Sequence, residues 1–352
     1  MYLLIIFIST LLLTYIFTPL VIQGAKRYGL MTDSKKFTHP AHTHHGIIPR
    51  AGGLPIFLGI LIVALLAIPL QKNLVSILVG GAILIITGLI DDRYNLSPYL
   101  RFMINFVVAG VTIAGGLGIP YLSNPFGDPV QLIEPQFVFQ LFNSSHSIWL
   151  IADIAAILWL MFLMNIVNWS KGIDGQLPGY TMIAALFLGI TAARFSAHEI
   201  SATHTQTLAF ITAGAFAGFL PWNFYPQRIM PGYGGGSLAG FMLGVLSILS
   251  FGKVGALAII LAVPLMDGIY TLTRRILSGK NPFKGDDQHL HHLLLRAGWG
   301  RRRIAVFYML ITALLGANML FLEGVVMKVA FAGLVYASIA IWIYTLSRKL
   351  KK

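Results

Sequence analysis

Apolar residues run along this chain in long uninterrupted blocks and do not alternate with polar ones. The blocks fall at 3–22, 53–70, 74–90, 102–121, 148–167, 177–194, 206–221, 235–252, 254–272, 304–322 and 325–346. Each approaches the roughly 20 apolar residues that a helix needs to cross a bilayer. The pattern predicts an all-α polytopic integral membrane protein of about eleven transmembrane helices. The eighth and ninth blocks are separated only by Gly252 and Lys253. The first block has no basic segment before it and Lys26-Arg27 after it, which predicts a retained span and not a cleaved signal. No internal repeat is visible, so residues 1–352 read as one membrane domain.

Composition agrees. Hydrophobic residues make up 57% and charged residues 11%, against about 25% charged in a soluble domain. There are 25 Lys and Arg against 12 Asp and Glu, a net charge of +13. The positive residues flank apolar blocks and form no single stripe, which argues against a nucleic-acid partner. If 23–51 faces the cytoplasm, so do 91–101, 168–176, 222–234, 273–303 and the tail, and these hold 21 of the 25 basic residues. The positive-inside rule then predicts an N-out, C-in topology in the cell membrane, with the polar loops on the cytoplasmic face. The absence of cysteine excludes disulfides, thiolate metal sites and a cysteine nucleophile. The loop 122–147 has no basic residue, and Val130–Leu132 with Phe137–Phe139, on either side of Glu134-Pro135, suggests a small surface hairpin.

The unusual polar residues gather on the predicted cytoplasmic side. The block 74–90 ends on Asp91-Asp92, adjacent acids that repel each other and resist burial unless a cation, a proton or a basic partner uses them. Four histidines, His39, His42, His44 and His45, precede Ile48-Pro49-Arg50 and read either as metal ligands or as a solvated loop. Asn165 and Asn168 are three apart and share a helix face, suited to a polar ligand or to a neighbouring helix. Lys171, Gly172, Asp174 and Gly175 follow. The run Gly232–Ser237 opens a helix whose amides could hold an anion, or serves close packing. Asp267 lies near a span end and is expected to pair with Arg274 or Arg275. Beyond it His289, His291 and His292 stand beside Asp286-Asp287, where histidine can bind phosphate, metal or a proton. Asp153 lies toward the opposite end, where an interfacial or interhelical role is expected.

Taken in order, Ile-Pro-Arg-Ala-Gly-Gly, Leu-Ile-Asp-Asp-Arg, Asn-x-x-Asn-x-x-x-Gly-Ile-Asp-Gly, Gly-Ser-Leu-Ala-Gly-Phe and His-Leu-His-His resemble the polyprenyl-phosphate N-acetylhexosamine-1-phosphate transferases. The resemblance covers residues 20 to about 300, with a helix pair at 304–346 beyond it. It is stronger to the undecaprenyl-phosphate GlcNAc-1-phosphate transferases than to the translocase of peptidoglycan synthesis, which has Thr-Pro-Thr-Met-Gly-Gly at 48–53. The resemblance implies transfer of a sugar 1-phosphate, GlcNAc-1-phosphate by likeness, from a UDP-sugar to a polyprenyl phosphate with release of UMP. It implies Mg2+, with Mn2+ as an alternative, and a homodimer in some relatives. By the same likeness Asp91, Asp92 and Asp174 are the catalytic and metal-binding acids. His44, Arg50, Asn165, Asn168, Lys171, His289, His291 and His292 are the substrate-binding residues.

Two positions depart from the family pattern. Lys171 stands where an Asp is usual, and Gly234 stands where relatives carry an Asp considered a magnesium ligand. Lys171 then acts as a point charge on the diphosphate, or else the chain binds lipid or nucleotide without turning it over. A proton-coupled carrier using Asp153 and Asp267 is the rival class, opposed by the missing repeat and by the crowding of polar motifs on one face.

Overall fold

The computed structural model describes residues 1–33, 46–141, 144–195, 200–250, 254–281 and 287–350. His39, His42, His44, His45, Lys284 and Asp286 lie outside them. The described residues are mainly helical: α1 (Tyr2–Arg27), α2 (Gly53–Ala67), α3 (Lys72–Tyr94), α4 (Pro98–Ala114), α5 (Leu150–Trp169), α6 (Gln176–Phe195), α7 (Ile200–Asn223), α8 (Gly232–Leu249), α9 (Val254–Ile260), α10 (Ala262–Leu277), α11 (Leu290–Arg296), α12 (Arg301–Phe321) and α13 (Val325–Lys349). Each apolar block coincides with a helix, or in one case with a pair. Among the described residues seven helices are long and apolar enough to cross a membrane, and eight if α9 and α10 count as one bent span. Helices α2 and α4 are apolar but shorter, and α7 is long but less apolar. The chain is therefore an all-α polytopic membrane protein.

The expected straight span at 254–272 is broken. Helices α9 and α10 meet at 87° around Leu261. Pro264 is the physical cause: it has no N–H to donate to the Ile260 carbonyl, and its ring crowds that same carbonyl. The neighbouring bonds, Leu261 N–H to Leu257 and Leu265 N–H to Leu261, survive on either side.

The loop 115–149 also departs from expectation. It forms two hairpins, β3 (Tyr121–Leu122) with β4 (Val130–Gln131), and β5 (Gln136–Leu141) with β6 (Ser144–Trp149). The segments at 130 and 137 thus pair outward with other strands and not with each other. A third hairpin joins β1 (Met31–Asp33) to β2 (Ile47–Pro49).

The bundle is organised around α8, which is 94% buried. Its opening Gly-Tyr-Gly-Gly-Gly allows backbones to touch. A Cβ on Gly88 of α3 would lie 2.5 Å from the Gly234 Cα, and one on Gly53 of α2 would lie 2.8 Å from the Gly234 carbonyl carbon. Small residues at such crossings are how membrane helices pack when lipid supplies no hydrophobic drive between them. Helix α1 follows the same rule in reverse of a soluble helix. Thr10, Thr14 and Thr18 are buried, while Ile5, Leu12, Ile16 and Leu20 are exposed on its outer side. Thr10 and Thr18 donate to the carbonyls of Ile6 and Thr14, so neither hydroxyl is left unpaired.

Candidate functional site

Helix α3 carries its acid pair at its C-terminal turn. Asn95 closes the helix in the left-handed region at φ 51°, and its N–H donates to the Asp91 carbonyl. Ser97 then caps α4, its side chain accepting from Leu100 N–H, with Pro98 in the first turn. This tight reversal brings Arg101 back over the acids. Arg101 Nε lies 2.7 Å from Asp91 Oδ1, which also accepts from Leu96 N–H at 3.0 Å. Asp91 Oδ2 is buried and has no hydrogen-bond partner among the described residues.

Asp92 faces the other way, toward the start of α8. The Tyr233 N–H donates to Asp92 Oδ1 at 3.2 Å, and Arg50 Nε lies 3.3 Å from the same oxygen. The anion expected at the α8 N-terminus is thus a carboxylate of the protein itself. Arg50 is held in place by the chain around it: Met230 N–H donates to the Pro49 carbonyl, and Gly52 and Gly53 N–H donate to the carbonyls of Met230 and Pro231. Gly232 must be glycine here. Its φ is +70°, and a Cβ would run into Asp92 Oδ2.

The end of α5 supplies the next layer. Lys171 Nζ donates to Asn168 Oδ1 at 2.6 Å and to the Gly232 carbonyl at 2.8 Å. Burial and the Arg50 charge pull its ammonium down to about 7, against the opposing pull of Asp92 and Asp91. Asn165, expected to point with Asn168, donates back to the Met161 carbonyl at 2.7 Å. Asp174 lies one step further, 3.7 Å from Arg301 and accepting from Gln227 N–H at 3.4 Å. Burial raises its carboxyl above the usual range, with Arg301 opposing. Its Oδ1 has no hydrogen-bond partner among the described residues.

The histidine cluster joins through the same segment, because a Cβ on Gly172 would strike His291 Nε2. His289 Nδ1 lies 3.1 Å from Asp267 Oδ2, and Leu290 N–H donates to Asp267 Oδ1 at 2.7 Å. Asp267 thus caps α11 from a distant helix and orients a histidine, where a pairing with Arg274 or Arg275 was expected. The carboxylate at Nδ1 orients the His289 ring. The His289 and His291 rings stack at 5.7 Å, and His291 and His292 approach at 4.3 Å. Burial and the neighbouring imidazoles lower His291 well below the usual range, and burial takes His292 to about 4. Asp153 accepts from Trp149 N–H at the far end of α5.

Of the sequence-predicted residues, Asp91, Asp92, Arg50, Asn168 and Lys171 come together, and His289, His291 and His292 form a second group beside Gly172. Asp174 pairs with Arg301. His44 lies outside the described residues. Among the described residues, no three His, Asp or Glu side chains converge at metal-ligand spacing. Arg101, Arg301 and Tyr233 were missed as site members. The Ser97-Pro98 reversal pointed to Arg101, while nothing local marked Arg301, which pairs with Asp174 from a helix 127 residues further on. Gly234, at a usual Asp position, aims its missing side chain at α3: a Cβ there would lie 3.3 Å from Gly88 Cα and from the Leu84 carbonyl.

Residues 74–251 match the family model described as glycosyl transferase family 4. The chain is similar to a probable undecaprenyl-phosphate N-acetylglucosaminyl 1-phosphate transferase of Bacillus subtilis, 30% identical over 86% of this chain and 80% of that protein. It is 29% identical to the undecaprenyl-phosphate alpha-N-acetylglucosaminyl 1-phosphate transferase of Escherichia coli K12, over 88% and 81%. It is 27% identical to the decaprenyl-phosphate N-acetylglucosaminephosphotransferase of Mycobacterium tuberculosis H37Rv, over 85% and 77%. With an acid pair, a basic surround and a histidine group joined at one end of a helical bundle, and with likeness over most of its length, the chain belongs to glycosyl transferase family 4.

Proposed function

We propose that the protein transfers GlcNAc-1-phosphate from UDP-GlcNAc to a polyprenyl phosphate and releases UMP, at the cytoplasmic face of the cell membrane. The observation that carries this reading is the buried acid pair met by Arg50, Arg101 and Lys171 from three other segments. Two anionic substrates must approach, and fixed cations in a low-dielectric site offset their repulsion without reorganising. The resemblance to the relatives named above supports the donor and acceptor. An eleven-span, N-out and C-in arrangement follows from the basic-residue asymmetry.

A phosphate oxygen of the acceptor attacks the donor phosphorus that bears the sugar. The bond from that phosphorus to the bridging oxygen breaks, and UMP leaves with that oxygen. The product is a prenyl diphosphate sugar, and no net proton is consumed. Arg50 and Lys171 hold the phosphates beside Asp92. Asp91 orients or deprotonates the attacking phosphate. His289, oriented by Asp267, presents its Nε2 edge toward the substrate, and Asn168 positions Lys171.

A divalent ion fits this donor set in one way. Magnesium is held by one or two carboxylates plus substrate phosphates, and Asp91 Oδ2 is a buried carboxylate oxygen lacking a hydrogen bond among the described residues. Asp91, with Asp92 or Asp174, would hold Mg2+ together with the diphosphate. When bound, the ion neutralises phosphate charge and polarises the reacting phosphorus.

A second reading, binding without turnover, draws on Lys171 and Gly234. The test is UMP release by the purified protein given UDP-GlcNAc, undecaprenyl phosphate and magnesium, beside Asp91→Asn. Release by wild type that disappears in Asp91→Asn supports transfer. Binding of both substrates with no release by wild type supports the second reading and sinks the first.

A further inference from the structure

Lys171 sits in a seat made of oxygen atoms. Its Nζ donates to Asn168 Oδ1 at 2.6 Å and to the Gly232 carbonyl at 2.8 Å. The Asp92 carboxylate, which packs against Gly232, attracts the ammonium as well. An amide oxygen, a backbone carbonyl and a carboxylate are the ligand types that hold hard divalent cations. Helix packing builds this seat. A Cβ on Gly236 would strike Asn168 Oδ1, and one on Gly232 would strike Asp92 Oδ2, so both glycines of α8 make room for these oxygens. Three cations, Arg50, Arg101 and Lys171, already stand against the two acids. Asp92 Oδ1 takes Arg50 and the Tyr233 N–H, whereas Asp91 keeps one oxygen without a hydrogen bond among the described residues.

We propose that Lys171 is a resident cation: its ammonium fills the seat beside Asp92 and keeps divalent ions off that carboxylate. A divalent ion at Asp92 would meet the like charges of Arg50 and Lys171 in a buried site, where repulsion is strong. The ion is thereby left to Asp91, at its free Oδ2. The two departures from the family pattern then belong together. At 171 a fixed positive charge fills the seat, and at 234 a side chain would run against the α3 backbone before reaching it. Two of the three Nζ donors are used inside the seat, which leaves one for a phosphate oxygen. The inference deepens the transferase reading and rests on it only for the nature of that phosphate.

The test is Mn2+ binding by purified full-length protein in detergent, followed by electron paramagnetic resonance with no substrate present. Lys171→Asp should bind Mn2+ about tenfold more tightly than wild type, because a repelling charge becomes a ligand. Adding Asp92→Asn to Lys171→Asp should remove that gain. Lys171→Gln, neutral and close in size, should show a smaller gain in the same direction, and it serves where the acidic variant fails to fold. In the wild-type background Asp91→Asn should weaken Mn2+ binding about tenfold, while Asp92→Asn should change it by less than about twofold. Equal losses in these two variants, or no gain in either Lys171 variant, overturns the proposal. Mn2+ binding is read without turnover. The expected pattern in a protein that releases no UMP would therefore leave the resident cation standing while the transferase reading fails.

Discussion

Two buried acid centres meet at the 168–175 segment, and they are neutralised in opposite ways. Asp91 and Asp92 face guanidinium groups, with Lys171 close by, and one carboxylate oxygen stays free of hydrogen bonds among the described residues. Asp267 faces an imidazole and a backbone amide, and both its oxygens are used. The first centre has cations to spare and an oxygen to offer, which suits the capture of phosphate. The second has little left to give, which suits the orientation of His289. Burial alone therefore does not distinguish a reacting carboxylate from a positioning one; the unused bonding capacity does.

The largest test of that contrast is a pair of isosteric substitutions. Asp91→Asn should lower UMP release by about 10²–10⁴-fold, the range of a lost acid–base group. Asp267→Asn should cost about 10–100-fold, as for partners that orient another ligand. Equal losses would mean that the two centres do the same work.

Next in size is the packing that places Asp92. Gly88→Ala should destabilise the protein by about 1–3 kcal/mol, the usual cost of overpacking, because its Cβ meets the Gly234 backbone. Gly24→Ala, in open space, should leave the melting temperature in detergent unchanged or slightly raised. Gly234→Asp should behave like Gly88→Ala and not restore a metal ligand; a gain in magnesium affinity would refute the packing argument.

A smaller effect concerns pH. With Lys171 at about 7, turnover should fall as pH rises through that value and the ammonium is lost. Lys171→Arg should remove this limb, since guanidinium stays charged. Stability should move oppositely. Between about pH 7 and 10.4 the unfolded lysine binds a proton that the folded one does not, so this group favours folding more as pH rises. A wild-type rate profile flat across pH 7 would argue that Lys171 does not face the diphosphate.

The smallest effect is a silence. His291 and His292 are held neutral, so their ring resonances should not titrate between about pH 5.5 and 8. As pH falls below about 6.5 the unfolded histidines bind protons first, and the stability due to this cluster declines toward acid. A midpoint near the ordinary histidine value would place the rings in water.

The run of apolar blocks determined the helical membrane architecture, because backbone groups in hydrocarbon must bond within their own segment. The acid pair, the reversal at Ser97-Pro98 and the break at Pro264 are likewise local facts, although the break was read through as one straight span. Adjacent acids, a capping serine and a proline without an N–H act within a turn or two of themselves. Only the tertiary structure decided that Arg101 covers Asp91, that Asp92 fills the anion seat of α8, and that Asp267 holds His289. It also turned Gly234 toward α3. These outcomes depend on which helices lie side by side, and apolar blocks of similar length and hydropathy do not encode that order locally. Small residues let the backbones approach, and the pairing of charges followed from that approach.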